Sequence, residues 1–203
     1  MGDKEKVSKR PEHGFVFYKN KYFRPGRSGF DKTGSYGARS PFFIHFHYRV
    51  ASDFEFCVLS AHLDPSDNHA TRMYAADSAA YFLKSSPVPT FFLGDFNLYE
   101  NERKKFYGQL PECDSCQEKI GFKATCGTES YDDIVFQRAF VSLEGDARVV
   151  PQVDGEDGKP PSDHDPLVAT FRIRPASKTN FKCDVQRWNL KQLRTDAILL
   201  GTV

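Results

Sequence analysis

The chain has 203 residues, a formal net charge of +1, 39% hydrophobic and 14% aromatic residues, which suits one domain with a real core and no global attraction to polyanions. No stretch approaches the ~18 consecutive apolar residues of a membrane span, and the start, Met1-Gly2-Asp3-Lys4-Glu5-Lys6, has no apolar signal region. No membrane partner is expected. Compartment stays open, because an upstream segment could carry a secretory signal, and protein partners are unknown.

Residues 1 to 12 are charged and read as a flexible basic N-terminus, and a strand is expected from Gly14 to Tyr18. From Arg24 to Ser40 glycine and arginine are frequent, which predicts a loop. Phe42 to Val50 alternates, with Phe42, Ile44, Phe46 and Tyr48 on one side and Phe43, His45, His47 and Arg49 on the other, the pattern of a strand with one wet face. Phe54 to Ala61 is the second arm of a hairpin. Asp67 or Asn68 then caps a helix whose apolar stripe is Met73, Ala76, Ala80 and Leu83, ended by Pro87 and Pro89. Thr90 to Leu93 is a short buried strand, Tyr99 to Tyr107 a helix, and Ile134 to Phe136 and Leu167 to Phe171 are further strands. Strands with interspersed helices give an α/β or α+β layered sandwich. The tail from residue 175 to 203 is basic, holds the only Trp, Trp188, and reads as a weak helix or as an extension that needs a partner surface. Its Lys and Arg residues could neutralise phosphates or simply be solvated.

The five cysteines are an odd number. Cys57 falls inside a strand pattern and is a small buried hydrophobe. Cys113 and Cys116 form a C-x-x-C with Cys126 ten residues on, which is open between a local disulfide and free thiols; a structural zinc site lacks a nearby fourth ligand.

Chemistry concentrates at strand ends. Gly94-Asp95-Phe96-Asn97 follows the run Phe91-Phe92-Leu93, Ser162-Asp163-His164 precedes Leu167-Val168-Ala169, and His62 closes Cys57 to Ala61. Burying a carboxylate at such a place is costly unless a cation or hydrogen bonds compensate it. A lone histidine is usually structural, but His62 and His164 each have candidate carboxylates to orient them, among them Asp132 in Tyr131-Asp132-Asp133-Ile134. That set describes a metal-assisted hydrolytic site.

Five blocks in order carry a resemblance: Glu12-His13-Gly14-Phe15-Val16-Phe17; Ala38-Arg39-Ser40-Pro41-Phe42; Glu55 through Ser60-Ala61-His62-Leu63-Asp64 to Asp67; Gly94-Asp95-Phe96-Asn97; and Tyr131-Asp132 with Ser162-Asp163-His164. Over about Ser8 to Phe171 the chain resembles the endonuclease/exonuclease/phosphatase superfamily, and within it the deoxyribonuclease I-like branch. The resemblance implies a four-layer αββα sandwich spanning residues 13 to 174, a partial domain that lacks the first strand-helix-strand segment. It also implies roles for single residues. His62 and His164 match the paired general acid/base histidines, with Glu12 and Asp132 as their orienting carboxylates. Asp95 and Asn97 match the pair that positions water and phosphate or metal, Asp163 and Asp95 match metal ligands, and Arg39, with Asn97, matches a contact to substrate phosphate. The implied cofactor is Mg²⁺, with Ca²⁺ or Mn²⁺ as substitutes, and the implied substrate is DNA.

Two residues depart from the pattern. Asp133 stands where a basic residue is usual and Asp165 where an aromatic is usual, so two added negative charges are expected near the phosphate. The absent segment would hold a metal-binding glutamate and cover a sheet edge, so activity is expected to be weak in the chain as it stands. The implied function is a divalent-metal-dependent phosphodiesterase that hydrolyses DNA. The alternatives are a phosphatase or small-molecule phosphodiesterase of the same superfamily, or an inactive remnant that binds DNA or protein.

Overall fold

A computed structural model describes residues 16–30, 41–50, 54–65, 68–155 and 158–174. The central element is a six-stranded sheet built from β1 (Phe23–Phe30), β2 (Phe42–Tyr48), β3 (Glu55–His62), β4 (Thr90–Asp95), β5 (Cys113–Ser115) and β6 (Asp132–Gln137), in the order β1-β2-β3-β4-β6-β5. β2 and β3 form the expected antiparallel hairpin. β3 and β4 are parallel, joined across α1 (His69–Ser85).

Each face of the sheet buries one side of the period-two pattern. On one face Leu59, Phe92 and Val135 pack with Met73, Ala76, Ala80 and Leu83 of α1 and with Phe106 of α2 (Glu100–Gly108). The stripe expected for α1 is therefore the buried stripe, and the Asn68 side chain caps the helix by accepting from the Thr71 N–H. On the other face Phe56, Val58, Phe91, Leu93, Ile134 and Phe136 meet short strands, β7 (Val141–Leu143) paired with β10 (Phe171–Ile173) and β8 (Arg148–Val149) paired with β9 (Leu167–Val168). The Phe171 ring lies 5.1 Å from Phe91 and 5.0 Å from Phe136, both edge-on. The architecture is mixed α/β: a helical layer, a six-stranded sheet and, on its other face, a smaller second layer made of two separate two-stranded sheets. Among the described residues no helix covers the outer side of this second layer, and none is long and apolar enough to cross a membrane.

Two local expectations are corrected, and at the cysteines one of the two open alternatives is found. Residues 16–19 form no strand, and the strand instead begins at Phe23 and runs through Phe30, into the stretch from Arg24 that predicts a loop. Its Pro25 and Gly26 are tolerated because β1 is an edge strand with an irregular register between Pro25 and Ser28. The run expected from Leu167 to Phe171 divides into β9 and β10, which pair with different partners. The C-x-x-C spans the junction of β5 and a short helix, α3 (Cys116–Ile120), with both thiols buried and free, and Cys126 is free and half-buried. The N-terminal twelve residues and the tail from 175 lie outside the described residues.

Candidate active site

Three neighbouring strands deliver a polar end to the sheet. The parallel strands β3 and β4 finish together with His62 beside Asp95, and β6 starts alongside with Asp132 beside Asp95. Alternation places these three residues on the face that carries Val58, Leu93 and Ile134 toward the small second layer. Gly94 permits the close approach: its φ is +131°, and a Cβ there would lie 2.0 Å from the Ala61 carbonyl oxygen. Asn97 then adopts φ 47°, a left-handed conformation that asparagine accepts more readily than most residues.

That turn folds Asn97 back on the strand end. Its backbone N–H donates to Asp95 Oδ1 at 2.9 Å, and its side-chain Nδ2 donates to Asp95 Oδ2 at 2.9 Å and to the Leu63 carbonyl at 3.0 Å. A flipped amide would set oxygen against both acceptors, so the orientation is fixed and Oδ1 is the end free to meet a ligand. Two imidazoles approach the same carboxylate. His62 Nε2 lies 3.5 Å and His164 Nε2 3.9 Å from Asp95 Oδ2, while His164 Nδ1 meets Asp132 Oδ2 at 2.6 Å.

Electrostatics follow from that crowding. Burial, and next the charge of Asp132, push the Asp95 carboxyl above its ordinary value, against the Asn97 N–H and the two imidazoles. For His164, desolvation pulls downward but the hydrogen bond and charge of Asp132, with Asp95 and Asp163 adding, hold the imidazole above the usual histidine value. Burial first, and then Asp163, Asp132 and Asp95, raise the Cys126 thiol.

The loop that carries His164 is braced from two sides. Gln152 donates to the carbonyls of Ser162 and His164 and accepts from the Ser162 N–H, and its own N–H donates to Asp165 Oδ1. Thr125 joins the two halves of the imidazole–carboxylate pair: its carbonyl accepts from the Asp165 N–H, and its hydroxyl oxygen accepts from the Asp132 N–H. On the helical side, the buried Arg72 grips Glu102 through Nε at 3.0 Å and Nη2 at 2.7 Å and donates Nη1 to the Asp64 carbonyl. Glu102 in turn accepts from the Tyr99 N–H. This pair ties the loop after β3 to the loop after β4, the two loops that follow His62 and Asp95.

No protein-family model matches the sequence, and no curated protein matches it. Solved structures do. D. rerio TDP2 complexed with a single-strand DNA product superimposes with a TM-score of 0.62 at 15% identity, over 75% of this chain and 70% of that one. The human nocturnin catalytic domain with a bound sulfate anion gives 0.62 at 16% identity, over 76% of this chain and 61% of that one. An endonuclease/exonuclease/phosphatase family protein from Bacteroides thetaiotaomicron gives 0.55 at 17% identity, over 74% of this chain and 65% of that one. The chain shares the fold of these three structures, one of which is an endonuclease/exonuclease/phosphatase family protein. In this deoxyribonuclease I-like arrangement a helical layer covers one side of the main sheet and the two small β-sheets lie on the other, so the polar strand ends open at a mouth between the β layers.

Against that fold, the sequence-derived residues sort clearly. His62, Asp95, Asn97, Asp132 and His164 are brought together, and Asp163 stands next to His164. Glu12 and Arg39 lie outside the described residues. The expectation that Asp133 adds charge near the phosphate is corrected: alternation turns it to the helical side, where it is 2% exposed and accepts from Tyr107, Ser115 and the N–H groups of Gln117 and Ile134. Sequence reasoning missed Thr125, Gln152, Arg72, Glu102 and the closeness of Cys126. Only Arg72 carried a signal, since it precedes Ala76, Ala79 and Ala80 at four, seven and eight residues and so shares the buried helical face.

Divalent cations suit the site by donor type. Asp95, Asp163 and the Asn97 amide oxygen are the hard oxygen donors that Mg²⁺ prefers, and the fixed Asn97 amide leaves its oxygen available. A second, softer set overlaps it: donor atoms of Cys126, Asp163 and His164 all lie within 4.8 Å of one another. Asp95 is not in that set.

Proposed function

We propose that the chain is a divalent-metal-dependent phosphodiesterase that hydrolyses DNA by paired histidine catalysis. The observation that carries the reading is the convergence of His62 and His164 on one Asp95 oxygen, with the far nitrogen of His164 held by Asp132 at 2.6 Å. A general acid needs its second nitrogen fixed and its proton affinity raised, and Asp132 does both for His164. His164 protonates the leaving oxygen as the phosphodiester breaks. Asp95 and Asn97 orient the attacking water, and His62 exchanges protons at the exposed lip of the site. Asp163, Asp95 and Asn97 are the residues to hold Mg²⁺, or Ca²⁺ or Mn²⁺ in its place, which supplies positive charge against the charge that concentrates on phosphorus-bound oxygens. Arg39 is the candidate for contact with a flanking phosphate, and Glu12 for the orienter of His62. The similarity to a TDP2 solved with a DNA product supports nucleic acid as the substrate class.

The sulfate held by the similar nocturnin domain favours a second reading, a phosphatase or small-molecule phosphodiesterase. Supercoiled-plasmid nicking and release of phosphate from inositol phosphates, each with Mg²⁺ and with chelator, separate the two. Chelator-sensitive nicking supports the first reading; phosphate release without nicking supports the second. Plasmid binding without either activity identifies a non-catalytic DNA-binding protein.

A further inference from the structure

Cys126 does not belong to the hydrolytic set, yet it stands at the same mouth. It is fixed there by a small antiparallel bridge with Glu129, in which the backbone N–H of each residue donates to the carbonyl of the other. One donor atom each from Cys126, Asp163 and His164 falls within a 4.8 Å cluster. The Nδ1 of His164 is occupied by Asp132, so Nε2 is the nitrogen that can meet a ligand. An imidazole backed by a carboxylate is the arrangement that orients metal-bound histidines and strengthens them as donors. Sulfur, imidazole nitrogen and carboxylate oxygen together form the donor mix of a zinc-type cation; Mg²⁺ takes oxygen.

We propose that Cys126, Asp163 and His164 form an inhibitory site for a thiophilic divalent cation of the Zn²⁺ class. On binding, the Cys126 S–H bond and, where His164 is imidazolium, its Nε2–H bond break, the protons pass to solvent, and sulfur–metal and nitrogen–metal bonds form, with no change of oxidation state. Three protein ligands leave the remaining position to water. Asp163 is exposed, so the ion reaches the site from solvent and exchanges with it. Inhibition has two sources. The metal takes the Nε2 lone pair of His164, which can then neither accept nor donate a proton, and it takes Asp163 from the oxygen set that suits Mg²⁺. The inhibitory consequence rests on the catalytic reading of His164, whereas the binding site does not.

Cobalt serves as a coloured probe. Titrating the protein with Co²⁺ should produce a thiolate-to-cobalt charge-transfer band that saturates at one equivalent and is bleached by Zn²⁺. Cys126→Ser should abolish that band and weaken Zn²⁺ binding at least tenfold by calorimetry. Absence of the band, or its persistence in C126S, overturns the site. In plasmid nicking with Mg²⁺ in excess, Zn²⁺ should slow the wild type, while C126S keeps its Mg²⁺-dependent rate and resists Zn²⁺. A bound metal that leaves nicking unchanged overturns the inhibitory role, and a His164→Ala variant that nicks like wild type marks the separate failure of the catalytic reading.

Discussion

Asp132 and Asp133 are adjacent in the chain and serve opposite faces of one sheet. Asp132 turns to the mouth between the sheets, partly exposed, with one imidazole as its side-chain partner. Asp133 turns to the helices, buried, with four donors from α2, β5, α3 and the strand itself. A carboxylate with one titratable partner and access to solvent can change state during a reaction. A carboxylate surrounded by four fixed donors cannot do so without losing structure. The difference teaches that a negative charge at a strand start says little until its parity along the strand is known.

The largest effects on stability should come from the helical side. Arg72→Ala leaves Glu102 buried without its bidentate partner and should cost about 3–5 kcal/mol in chemical denaturation. A loss under about 1 kcal/mol would mean that solvent already screens the pair. Asp133→Ala strands the Tyr107 and Ser115 hydroxyls and two backbone donors, so a loss of ~3 kcal/mol or more is expected, with nicking per folded molecule largely retained. If Asp133→Ala instead abolished activity in folded protein, the separation of the two faces would fail.

A smaller effect should appear in the pH dependence of stability. His164 and Asp95 both have proton affinities raised by folding, so the folded state holds more protons than the unfolded state over their windows. The stability each contributes is complete below its unfolded pKa and is lost as pH rises through its folded one. For His164 the loss begins near the ordinary histidine value of about 6.5. Thermal melts should therefore fall in stability from slightly acid to slightly alkaline pH, and Asp132→Asn should flatten that slope. An unchanged slope in D132N would show that Asp132 does not hold the His164 proton.

Much of this arrangement is legible in the sequence, and for physical reasons. The Ala-rich stripe of α1, the β2–β3 hairpin and the apolar runs before His62 and Asp95 are local patterns, and local patterns survive folding. The Gly94-Asp95-Phe96-Asn97 block is readable because Gly94 and Asn97 meet backbone requirements, and Asp95 a charge requirement, that few residues satisfy. By contrast, the local pattern over β1 predicts a loop, because Pro25 and Gly26 disfavour a strand everywhere except at an edge, and edge position is a tertiary fact. The roles of Thr125 and Gln152, and the place of Cys126 at the site, are not legible because they arise from contacts between loops with no periodicity. The face chosen by Asp133 was readable in principle from alternation with Val135, which is buried against the helices.

The central claim is that His62, Asp95, Asp132 and His164 act as one chemical unit at the mouth between the sheets. Its most direct test is the Mg²⁺-dependent nicking rate of supercoiled plasmid by wild type and His164→Ala, normalised to folded protein by thermal melt. The rate should fall by about 10² or more in the variant, with a melting curve close to that of wild type. A His164→Ala protein that is folded and nicks plasmid at the wild-type rate would contradict the account.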